Sequence, residues 1–109
     1  MNGSDGQTRL GETQNGDSLT DTAFGKVTAK ELYALLDRQQ YRCALTGRKL
    51  TPSCATLDHR TPLSRGGEHD LSNIQILDKQ INVAKGTMTQ VEFIQVCHEV
   101  IEWLADQDE

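Results

Sequence analysis

The sequence predicts a small α+β fold: a two-strand hairpin closed by a short helix, with one helix before it and a longer one after it. Three observations predict it. A capped apolar helix pattern precedes residue 41, two short strand-like runs are separated by a glycine-rich loop, and the last twenty residues carry helical periodicity. With 109 residues, the chain has room for one domain.

The elements follow in order. Residues 1–25 hold five of the nine glycines among Ser, Thr, Asp, Asn and Gln, without apolar periodicity, and read as a disordered polar tail. Residues 26–109 form the folded domain. Thr28 with Glu31 makes a capping box and Val27 with Leu32 a hydrophobic staple, which predicts a helix over residues 29–40 with Leu32, Leu35 and Leu36 on its apolar face. Tyr41 to Gly47 changes character, and turns at Thr46-Gly47 and Pro52-Ser53 imply short strands or an irregular knuckle. Ala55 to His59 reads as a strand, stopped by Pro62 and the loop Ser64-Arg-Gly-Gly67. Asn73 to Leu77 is a second strand and Asp78 to Lys85 a helix that stops at Gly86. A second capping box, Thr89 with Glu92, opens a helix over residues 89–105, with Phe93, Cys97, Val100, Ile101 and Leu104 on one face. Trp103 is expected to cap the core, and Cys54 and Cys97 to be buried thiols.

Charge is unevenly spread. The net charge of −5 argues at face value against a phosphate-binding partner. Residues 41–86, however, carry seven Lys or Arg against four acids, whereas residues 87–109 carry six acids and no base. The middle is suited to face phosphate and the acidic end to face water or a partner. There is no apolar run near the roughly 20 residues of a membrane span and no signal-peptide pattern, so a cytoplasmic protein without membrane contact is expected. Three irregularly spaced cysteines read as free thiols.

The chemistry concentrates in Asp58-His59, Asn73, Asn82 and Lys85, within 28 residues. A hairpin followed by a two-turn helix brings His59 and Asn82 back toward each other, and Asn82 and Lys85, three apart, share a helix face. Carboxylate and amide oxygens of Asp58 and Asn82 suit a hard divalent ion, probed most naturally as Mg2+, with positions left for water and phosphate. His59, with an ordinary pKa near 6.5, suits proton abstraction from water. Strand neighbours point to opposite sides, which stands against a site where both converge on one atom, but in phosphodiester hydrolysis base and metal need only flank the phosphorus. His69, in the turn Glu68-His-Asp70, is expected to be a solvated loop residue, and His98 a surface or boundary residue.

The run Leu57-Asp-His-Arg-Thr-Pro-Leu-Ser-Arg-Gly-Gly67, then Asn73-Ile-Gln and Asn82-Val-Ala-Lys-Gly86, closely resembles the HNH endonucleases, the ββα-metal or His-Me finger nucleases. His59 to Asn73 is fourteen positions and Asn73 to Asn82 nine, as in the nuclease domain that cuts the target strand in RNA-guided effectors. The resemblance covers residues 41–90. It implies that His59 is the general base, that Asp58 and Asn82 are metal ligands, and that Asn73 braces the loop. It also implies that Lys85 touches backbone phosphate, with Arg60 and Arg65 as candidates for the same task. Asn82 stands where the family's name places a histidine. Many members hold a structural zinc between two Cys-x-x-Cys pairs; the corresponding positions here are Cys43, Thr46, Asp78 and Ile81, so no structural zinc is expected and apolar contacts among Tyr41, Leu45, Leu50 and Ile81 must hold the knuckle. The expected function is metal-dependent DNA cleavage leaving 5′-phosphate and 3′-hydroxyl ends, with Mg2+ replaceable by Mn2+ or Ni2+ and with a possible protein partner for targeting. The alternative is a catalytically weak nucleic-acid-binding module of a larger phage or restriction-type complex.

Overall fold

Val27 and Leu32 are both fully buried on either side of the Thr28 cap, so the first turn of the helix that follows is stapled to the core. The structure is a computed structural model that describes residues 27–107; the expected tail over residues 1–25 lies outside the described residues. Helix α1 spans Ala29–Arg38 and has both halves of its capping box in place: Thr28 Oγ1 accepts from the Glu31 amide at 3.1 Å and Glu31 Oε1 accepts from the Thr28 amide at 2.9 Å. The helix stops two residues short of expectation because Gln40 and Tyr41 both turn left-handed, with φ of 57° and 56°.

Strand β1 (Ala55–His59) pairs antiparallel with β2 (Ile74–Asp78), setting Leu57 opposite Ile76, Asp58 opposite Gln75 and His59 opposite Ile74. Helix α2 (Lys79–Lys85) follows immediately, with Asp78 as its N-cap and Gly86 as its left-handed stop. These three elements are the ββα unit, and α3 (Gln90–Gln107) follows. Two single 3-10 turns, Leu63–Arg65 and Leu71–Asn73, shape the loop between the strands.

The core lies between α1 and the sheet: Leu32 and Leu36 pack with Leu57, Ile74, Ile76 and Leu77, each full burial contributing about 1.5–3 kcal/mol. The outer edge of β2 is closed by a side chain. Gln39 accepts from the Ile76 amide and donates to the Ile76 carbonyl, both at 3.0 Å, standing in for a third strand. The segment between α1 and β1 is an irregular knuckle with one bridge, Arg42 to Lys49. Leu50 is buried and Leu45 and Ile81 pack partly against the core, but Tyr41 is exposed, because the left-handed turn carries its side chain outward.

The largest departure concerns α3. Of the face set by Phe93, Cys97, Val100, Ile101 and Leu104, only Phe93 is half-buried, whereas Val100 is 51%, Leu104 59% and Ile101 66% exposed, and Trp103, expected to cap the core, is 66% exposed. Trp103 therefore does not cap the core, and Cys97 is exposed while Cys54 is half-buried. Amphipathic periodicity demands a partner surface without saying which one. Among the described residues no helix is long and apolar enough to cross a membrane.

Candidate functional site

Alternation along β1 sends Thr56 and Asp58 to one face of the hairpin and Leu57 and His59 to the other. α2 lies against the first face. Asn82 donates from Nδ2 to Thr56 Oγ1 at 2.9 Å and to the Leu57 carbonyl at 3.2 Å, which commits its nitrogen to the strand and makes Oδ1 its atom for a cation. One turn later, Lys85 Nζ stands 3.3 Å from both carboxylate oxygens of Asp58 and donates to the His59 carbonyl at 3.0 Å. Gln75, opposite Asp58 in the register, donates to Asp58 Oδ2 at 2.9 Å. Asp58, Gln75, Asn82 and Lys85 are all fully buried. A buried carboxylate is tolerable because an ammonium and an amide answer it.

His59, 3% exposed, lies at the end of β1 and its Nε2 is 2.9 Å from His69 Nδ1, with ring centroids 5.2 Å apart. His69 was expected to be solvated; it is instead half-buried against His59, because the 3-10 turns fold the loop back over the strand end. Between two ring nitrogens one must donate and the other accept, so the contact couples the tautomers of the two rings. Asn73 holds that loop: Oδ1 accepts from the Thr61 amide at 3.0 Å, and Nδ2 donates to the carbonyls of Thr61 at 3.0 Å and Glu68 at 2.9 Å.

The three basic residues assigned to phosphate stand differently. Lys85 has no exposed surface, so its ammonium serves Asp58 and the strand rather than a phosphate at the surface. Arg65 forms a two-pronged ion pair with Glu92, at 3.0 and 2.8 Å, and donates to the Thr87 carbonyl at 3.1 Å, fastening the glycine loop to the start of α3. That pair, with the Thr89 amide, holds the Glu92 carboxyl down at about 2 and raises the Arg65 guanidinium above its ordinary value. Arg60 is exposed; it donates to the Ser72 carbonyl at 3.1 Å and weakly to Gln75 Oε1 at 3.4 Å.

Sequence reasoning missed Gln75 and His69. The signal for Gln75 was available in the hairpin register, which sets it across from Asp58; none existed for His69, ten positions from its partner. Among the described residues no group of three or more His, Cys, Asp and Glu is placed to hold a metal. The donor chemistry at Asp58 and Asn82 nevertheless fits a hard divalent ion: a carboxylate has about four lone-pair sites and an amide oxygen is a hard ligand, leaving the remaining positions to water and phosphate. Such an ion shares Asp58 with Lys85.

Residues 40–87 match the family model described as HNH endonuclease. No curated protein and no solved structure matches the chain.

Proposed function

Taking residues 40–87 as an HNH endonuclease domain, we propose that the chain hydrolyses DNA phosphodiester bonds with His59 as general base and a divalent ion at Asp58 and Asn82. The observation that carries this reading is the division of one strand end between two faces. Asp58 and Asn82 sit with Lys85 on the helix side, and His59 leans on His69 on the other. A phosphate seated at the strand end is thereby flanked rather than met from one side.

His59 takes a proton from the attacking water; the water oxygen bonds to phosphorus as the bond to the 3′-oxygen breaks, and the 3′-oxygen takes a proton from solvent water, leaving a 5′-phosphate and a 3′-hydroxyl. His69 is a positioning residue, fixing the His59 ring and its tautomer. Lys85 orients the Asp58 carboxylate and ties it to the His59 backbone. The ion, when bound, supplies charge stabilisation for the phosphate and the leaving oxygen. Of the two exposed arginines assigned to phosphate, Arg65 is held by Glu92, which leaves Arg60, next to the strand end, as the one for DNA backbone contact.

One observation favours a second reading. The Asp58 carboxylate already has a resident cation in Lys85, as in a nucleic-acid-binding module that keeps the fold with little turnover. Cleavage of supercoiled plasmid in Mg2+, Mn2+ or Ni2+ separates the two. The nuclease reading expects nicking or linearisation that EDTA abolishes and that His59→Ala lowers by about a hundredfold or more. An intact plasmid that is still retarded on a gel supports the binding module instead.

A further inference from the structure

The first turn of α3 is fastened to the domain, through the Gln90 amide to the Arg60 carbonyl at 2.9 Å and through the Arg65–Glu92 pair. The turns that follow present Val100, Ile101, Trp103 and Leu104 to solvent, a larger run of apolar surface than a lone soluble domain keeps. These residues fall into a seven-residue register. Cys97 and Leu104 take position a, Phe93 and Val100 position d, Ile94 and Ile101 position e, and Val96 and Trp103 position g.

The acids obey the same register. Glu92, Glu99 and Asp106 fall at c and Glu102 at f, the positions farthest from the seam, and α3 contains no Lys or Arg. A helix built to select an oppositely charged partner displays its charges at e and g; here both are apolar throughout. Confining the four acids of α3 to the far side is what lets two copies of this helix meet over Gln90–Gln107 without like charges opposing each other. We infer that α3 is a self-association helix whose occupant is α3 of a second copy of this chain. A cleft of about 360 Å³ between α3 and the knuckle, walled by Leu45, Ile81, Phe93, Cys97 and Ile101, continues the apolar surface and gives the incoming helix a second wall. One consequence rests on the nuclease reading: two HNH domains in one particle can cut both strands in one encounter. The association itself stands without it.

The test is the solution mass of the full chain by sedimentation equilibrium, with Val100→Glu and Leu104→Glu beside the wild type. A wild-type species at twice 12.1 kDa is expected, and single-chain mass in both variants. Glu99→Lys, at an outer position, should leave the pair intact, which excludes a general effect of altering the helix. A chain that stays monomeric at every concentration overturns the inference, as does a dimer indifferent to Val100→Glu and Leu104→Glu. Circular dichroism and urea unfolding of the variants verify that the domain is still folded.

Discussion

The hairpin with α2 and the helix α3 are mirror images in their use of polarity. The first hides its polar groups: Asp58, Gln75, Asn82 and Lys85 are buried together, each answered by another or by the strand backbone. The second displays its apolar groups, Val91, Ile101, Trp103 and Leu104, to water. The ordinary rule runs the other way in both places. A buried polar layer persists only where its members satisfy one another, as these four do. An exposed apolar face persists where something else covers it. One chain thus carries two departures of opposite sign, one explained within the domain and the other outside it.

Four substitutions or conditions sharpen the contrast. The largest effect belongs to Lys85→Met, which strands the Asp58 carboxylate in the interior. A loss of about 3–5 kcal/mol is expected, read as a lower urea midpoint, and a variant as stable as wild type would break the account of the buried layer. Gly67→Ala comes next. A Cβ at that position runs into the Thr61 carbonyl and crowds Asn73 Nδ2, so the loop must shift. We expect a cost of about 1–3 kcal/mol, together with displaced ring signals of His59 and His69 in NMR spectra.

Acid probes the fastening between the two regions. The Glu92 carboxyl titrates at about 2 in the folded chain against an ordinary 4.5. Its contribution is therefore complete above about 4.5 and is lost as pH falls through 2. Protection factors in the first turn of α3, which correct for the intrinsic pH dependence of amide exchange, should fall over that window, and Arg65→Ala should weaken that fall, leaving the share owed to the Thr89 amide. The smallest effect is the most pointed: Trp103→Ser, measured at dilutions that keep the chain monomeric, should change stability by no more than about 0.5 kcal/mol. A large loss there would mean that α3 packs on its own domain after all.

What could be read from the sequence was local. Both capping boxes need only residues three apart, and they form at Thr28 and Thr89 as the spacing requires. β1 has its expected bounds, and β2 starts one residue late because Asn73 closes a 3-10 turn and spends its side chain on the loop. The hairpin and two-turn helix were expected to bring His59 and Asn82 toward each other; strand alternation instead sets Asn82 against Thr56, on the face opposite the His59 side chain. The burial of Lys85 was not legible, since a lysine is solvated by default and its place depends on a carboxylate 27 positions away. His69 was illegible for the same reason, its position being set by loop turns rather than by periodicity. In α3 the periodicity gave the helix and its apolar residues, but not that Trp103 and Cys97 would stand exposed, because periodicity groups residues on a face without saying what that face packs on.

The central claim is that the two faces of one strand end divide the work, with metal on the Asp58 and Asn82 side and the base on the His59 side. Mn2+ binding followed by electron paramagnetic resonance, alongside plasmid cleavage, tests it in wild type, Asp58→Asn and His59→Ala. The account predicts that Asp58→Asn weakens Mn2+ binding severalfold or more, while His59→Ala binds the ion as wild type does and cleaves little or nothing. Undiminished Mn2+ binding by Asp58→Asn, or loss of the ion in His59→Ala, would contradict that division.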